Sequence, residues 1–106
     1  MLITNSKQLE KLSKKVKEIE FGKRYNKPTT IPHGITHVKF EDIYNSPTEI
    51  PNSVTNLIFG YCYNQPTVIP NSVTHLTFGH DYNQPTEIPN SITNLSFGYF
   101  YNQPTI

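Results

Sequence analysis

The sequence predicts a mainly β solenoid: five coils of 19 residues, a parallel sheet along one wall and a short helical cap at the N-terminus. Three observations carry this prediction. Apolar and turn residues recur every 19 positions without slipping, an apolar pair alternates within each repeat, and two prolines per repeat exclude a helix there. A fixed period near twenty is the signature of stacked units, none of which can bury its own apolar face. With 106 residues the chain makes one domain, expected to divide into a capping helix over residues 1–15 and a repeat solenoid over residues 16–106.

Residues 5–15 lie outside the clearest repeats. Asn5 followed by Gln8 has the spacing of a helix start with its reciprocal partner. Leu9, Leu12 and Val16 share one helical face, with Lys7, Lys11, Lys14 and Lys15 on the other. This predicts an amphipathic helix covering the first coil, because terminal repeats need a polar outer face. Leu12 also aligns with Ile31, Ile50, Ile69 and Ile88, so the helix and repeat readings overlap near residues 12–16.

The repeats then run in register. One column holds Val16, Ile35, Val54, Val73 and Ile92, and a second holds Ile19, Val38, Leu57, Leu76 and Leu95. Phe21, Phe40, Phe59, Phe78 and Phe97 follow two residues later, so the L-x-F pair points to one face of a short strand. Stacked at strand spacing, these segments form the parallel sheet. Glycine comes next in every copy except the second, which has Glu41. Tyr25, Tyr44, Tyr63, Tyr82 and Tyr101 form another column, followed by Asn26, Asn45, Asn64, Asn83 and Asn102. An Asn side chain both donates and accepts, so this column is expected to be a structural ladder that satisfies its own turn and the next Asn in the stack.

The pattern [VI]-T-[NH]-L-x-F-G-x-x-Y-N-Q-P resembles the FNIP repeat, named for a Phe-Asn-Ile-Pro signature, over roughly residues 12–106. Tyr replaces the signature Phe in every copy. Gln65, Gln84 and Gln103 hold its third place, with Lys27 and Ser46 in the earlier copies, and the unit is shorter than usual for the family. The resemblance implies a leucine-rich-repeat-like (LRR-like) solenoid used for protein binding, of a kind common in social amoebae and giant DNA viruses of amoebae. It supplies no catalytic residue.

Four columns vary in chemistry and mark the changeable surface. Two belong to the strand wall: Glu18, His37, Asn56, His75, Asn94, and Glu20, Lys39, Ile58, Thr77, Ser96. Two belong to the loop leaving it: Lys23, Asp42, Tyr61, His80, Tyr99, and Arg24, Ile43, Cys62, Asp81, Phe100. A protein partner is expected to contact Lys39, Ile58, Thr77, Ser96, Tyr61, His80, Tyr99 and Phe100, with the aromatic and apolar members as anchors. Phe100 reads equally as an anchor or as a core residue.

Other chemistries find little support. His75, His80 and Asp81 flank Phe78-Gly79 with no consistently placed nucleophile, and Cys62 is the only cysteine. His37, His75 and His80 are spread over two columns and lack a carboxylate partner at fixed spacing, so they do not make a metal site. No catalytic residue, metal or cofactor is therefore expected. Two threonine columns, Thr36, Thr55, Thr74, Thr93 and Thr29, Thr48, Thr67, Thr86, Thr105, suggest an ice-binding array, but local hydrogen bonding explains Thr at such positions more simply.

Charge is polarised. Residues 1–39 carry all nine Lys and Arg against three acids, +6, and residues 40–106 carry five acids and no Lys or Arg, −5. The lysines are read as a solvated cap, because no aromatics interleave with them, so neither nucleic acid nor membrane is expected as a partner. No apolar run reaches membrane-spanning length. A cytoplasmic location, in the host cytoplasm or a virion, is the expectation. The last coil carries no cap in the sequence. This suggests a homodimer through Ile92, Leu95, Phe97 and Tyr101, or self-assembly as the alternative function.

Overall fold

A computed structural model describes residues 1–103. Six strands form one parallel sheet in the order β1 (Leu2–Ile3), β2 (Glu18–Phe21), β4 (His37–Lys39), β6 (Asn56–Ile58), β7 (His75–Thr77), β8 (Asn94–Ser96). From β2 onward every pairing is offset by one repeat: Ile19 faces Val38, Val38 faces Leu57, Leu57 faces Leu76 and Leu76 faces Leu95. The chain is thus a mainly β, LRR-like solenoid of about five turns. A second, two-stranded parallel sheet, β3 (Thr29–Thr30) with β5 (Thr48–Glu49), forms where the proline-flanked segments of the first two coils pass each other.

The core is a narrow slab between the coil walls. Leu57 and Leu76 are buried, as are Val54 and Val73, and beside them run two columns of aromatic rings. Phe21, Phe40, Phe59, Phe78 and Phe97 stack at centroid spacings of 4.5, 5.2, 5.5 and 5.6 Å. Tyr25, Tyr44, Tyr63, Tyr82 and Tyr101 stack alongside at 6.0, 5.8, 6.0 and 6.1 Å. Within a coil, Phe and the Tyr four residues on overlap closely, at 3.8 Å for Phe59–Tyr63 and 3.6 Å for Phe78–Tyr82. Aromatic contacts add about 0.5–1.5 kcal/mol each beyond their buried area, so the repeated pair is a large part of what holds a thin core together.

Each buried tyrosine keeps its hydroxyl partnered. Thr29, Thr48, Thr67 and Thr86 donate to the carbonyl two residues back, at 2.6–2.9 Å, and so accept from Tyr25, Tyr44, Tyr63 and Tyr82. This gives that threonine column a structural task. Thr105, its last member, lies outside the described residues. Thr36, Thr55, Thr74 and Thr93 bond the carbonyl one coil back, at 3.1–3.3 Å. With both hydroxyl columns used internally, neither forms the free array an ice-binding face would need.

The asparagine column ties turns together through one atom. The Oδ1 atoms of Asn26, Asn45, Asn64 and Asn83 accept from the backbone N–H of Asn45, Asn64, Asn83 and Asn102, at 2.8–3.0 Å. The same oxygens also accept from Ser46 Oγ or from the Nε2 of Gln65, Gln84 and Gln103. The ladder therefore runs from side chain to the next backbone, with the Gln column as its second rung, rather than from amide to amide.

The N-terminal cap differs from the expectation for residues 1–15. The helix, α1, covers only Lys7–Glu10. Leu12 and Val16 keep the repeat register and pack on the core as their column mates do, which ends the helix early. The sheet is instead extended by β1, whose Leu2 and Ile3 pair with Glu20 and Phe21, and Ile3 is fully buried. Gln8 closes the outer side of that strand. Its Oε1 accepts from the N–H of Thr4 and Asn5, at 2.6 and 3.0 Å, and its Nε2 donates to the Leu2 carbonyl. This blunts an edge that would otherwise present free backbone groups.

Candidate functional site

The strand wall and the loop leaving it share one stacking rule but differ in chemistry. On the wall, side chains between the buried column residues face outward. Exposed Glu20 and Lys39 form an ion-pair cluster with half-buried Glu41, with Lys39 Nζ 3.4 Å from Glu20 and 3.7 Å from Glu41. Such pairs contribute little to stability. Further along the wall the surface becomes neutral. Ile58 is 41% exposed, Thr77 is half-buried and Ser96 is exposed. With Asn56, His75 and Asn94 they line a shallow depression. His37 and His75 are held by the preceding threonine, Nδ1 to Oγ1 at 2.8 Å, and Asn56 and Asn94 likewise by Thr55 and Thr93. The first wall column is therefore an ordered polar row.

The loop is ordered by its own ladder. Cys62, Asp81 and Phe100 donate their N–H to the carbonyls of Asp42, Tyr61 and His80, at 2.9–3.1 Å. Glycine makes this approach possible. A Cβ on Gly60 would fall 2.6 Å from the Glu41 carbonyl, and one on Gly79 or Gly98 would run into the backbone of the glycine one coil back. Backbones this close bring the next side chains into register.

As a result, Tyr61, His80 and Tyr99 form a surface ring stack. Tyr61 and His80 lie 4.4 Å apart at 5°, and His80 and Tyr99 lie 5.6 Å apart at 8°. Phe100 meets His80 edge-on at 4.6 Å and is 53% exposed, so it stands on the surface beside the stack and outside the core. His80 Nδ1 bonds Asp81 Oδ1 at 2.8 Å, and Asp42 Oδ1 accepts the Tyr61 N–H. The structure thus brings together Tyr61, His80, Tyr99 and Phe100. Lys39, Ile58, Thr77 and Ser96 lie in a separate line on the wall. Asp81, Ile43 and Asp42 belong to the loop surface as well. Their signal in the sequence was membership of the variable loop columns.

The His80–Asp81 pair has no nucleophile bonded to it among the described residues. Among the described residues no group of three or more His, Cys, Asp or Glu could hold a metal ion, and no helix is long and apolar enough to cross a membrane. Among the described residues, desolvation raises Tyr44, Tyr63, Tyr82 and the partly buried Tyr101 above the ordinary tyrosine value.

The FNIP Repeat family model matches residues 27–62, 44–81, 63–100 and 82–106. No curated protein sequence matches the chain. Among solved structures, the chain is similar to CroV588 of a giant virus, whose structure is titled a novel circular LRR protein structure, with a TM-score of 0.76 and 37% identity. That match covers 88% of this chain and 16% of CroV588, so the chain corresponds to a small arc of that protein. With the repeat matched over most of its length, the chain belongs to the FNIP repeat family.

Proposed function

We propose that the chain is a non-catalytic protein-interaction or scaffold module that binds through the strand wall and the loop beside it. One observation carries this reading. The loop stacks exposed Tyr61, Tyr99 and Phe100 around half-buried His80 in one surface cluster, although none of them is needed to fill the core. Tyr61 is 49% and Tyr99 82% exposed. Aromatic rings held in place lose little entropy on binding and are the residue types that dominate interface energetics. The repeat family and the LRR-like neighbour support a scaffold role at the coarser level.

Affinity capture from host-cell lysate tests it, with the Tyr61→Ala/His80→Ala/Tyr99→Ala variant as the control. A specific protein retained by the wild type and lost by a folded variant is the expected result. The same proteins retained by both would remove the loop from the binding surface.

A further inference from the structure

We propose that the loop face is self-complementary and docks a second copy of the chain, antiparallel, about a two-fold axis lying in the interface across the coils. This rests on reading the face as an interaction surface, and it supplies the partner.

The first support is where apolar surface is left uncovered. Of the nine exposed large hydrophobic residues among the described residues, four lie on this strip: Ile43, Tyr61, Tyr99 and Phe100. The rest are scattered over the N-terminus, the wall and the far turn. Apolar side chains concentrated on one strip of an otherwise polar surface mark a candidate interaction site.

The second support is the order of chemistry along the strip. From coil one to coil five the two loop columns read Lys23-Arg24, Asp42-Ile43, Tyr61-Cys62, His80-Asp81 and Tyr99-Phe100. The basic pair stands at one end, the exposed aromatic pair at the other, and Tyr61-Cys62 at the midpoint. Reversing one strip against another lays the first coil on the fifth, the second on the fourth and the third on itself. Lys23 and Arg24 then meet Tyr99 and Phe100, an arrangement of cations over ring faces. Asp42 meets His80. Tyr61 meets its own copy at the axis, with Cys62 beside it. Pairing in the parallel sense would set Lys23 and Arg24 on themselves, so charge selects the antiparallel arrangement. The rungs from Cys62, Asp81 and Phe100 to the coil before tie coils two to five of the strip together, so that stretch of each copy meets its partner already ordered.

Sedimentation equilibrium of the full chain over a concentration series tests this, with thermal melts confirming that each variant folds. The wild type is expected to dimerise reversibly. Arg24→Glu and Phe100→Arg should each weaken the dimer at least ~tenfold. The double variant should regain it, because the exchanged charges face each other across the axis. A short bismaleimide should link the wild type through Cys62. Three results would overturn the proposal: a wild type monomeric at every concentration, a double variant no better than the singles, or a dimer broken by Phe97→Glu and indifferent to Arg24 and Phe100. The last would move the contact to the β8 edge. A monomeric wild type that still loses a captured protein in the Tyr61/His80/Tyr99 variant would end the self-association proposal and leave the interaction-module reading standing.

Discussion

Two ring stacks run through this molecule, and the same coil geometry builds both. The inner one repeats Phe and Tyr in every copy and is buried from Phe21 to Tyr82. The outer one, Tyr61, His80 and Tyr99, changes residue from coil to coil and starts at Gly60, the first loop glycine pressed against the backbone of the coil before it. Stacking is therefore a consequence of the 19-residue register, and burial decides what it is used for. Inside, a ring that leaves its place opens a cavity and orphans a threonine. Outside, it meets water, and the position is free to take Asp42, His80 or a tyrosine. The difference separates residues that hold the coil from residues available to a partner.

The sharpest way to break that division is through the inner stack. Phe59 touches rings on both neighbouring coils and Tyr63 in its own, so Phe59→Ala should cost about 3–5 kcal/mol in urea denaturation, enough to unfold much of the population. A loss near zero would mean the rings are not the core. Gly79→Ala attacks the link between the two stacks. Its methyl would meet the Gly60 carbonyl, and a loss of about 1–3 kcal/mol is expected, together with a changed near-ultraviolet spectrum from the outer rings.

Asn64→Ala comes next. It removes the acceptor for the Asn83 N–H and the Gln84 amide and should cost about 1–3 kcal/mol, while partner binding by the folded fraction stays intact. A full loss of binding at unchanged stability would make the ladder a recognition surface.

The buried tyrosines give a pH dependence. Tyr44, Tyr63 and Tyr82 have raised values when folded, so the folded state holds their protons more tightly than the unfolded state does. Their contribution is fully present below the unfolded value of about 10 and is lost as pH rises through that value towards the folded ones. The melting temperature should fall over that window, with phenolate absorbance from these rings appearing together with unfolding. Phenolate that titrates freely near the ordinary value in a folded protein would place the rings in water.

The sequence showed the coil because its period never slips between Val16 and Tyr101. It showed the variable columns for the same reason, since a position that changes among fixed neighbours stands out. It hid β1, because Ile3 sits 18 residues before Phe21 and so falls outside the period although it fills the equivalent site. It overstated the helix, because Leu9, Leu12 and Val16 satisfy helical spacing and repeat register at once, and packing on the core selects the register. The outer stack was hidden for a different reason. Ring overlap depends on loop backbones bonded coil to coil, and a glycine after Phe does not by itself say how close the next coil comes.

The smallest expected effect is also half of the most direct test. Tyr61→Ala and Tyr63→Ala remove the same side chain two residues apart, one from each stack. Measured side by side by equilibrium denaturation, Tyr63→Ala should lose about 3–5 kcal/mol, and Tyr61→Ala should stay within about 1 kcal/mol of the wild type. Comparable losses for the two would contradict the division between a stack that builds the coil and a stack left free to bind.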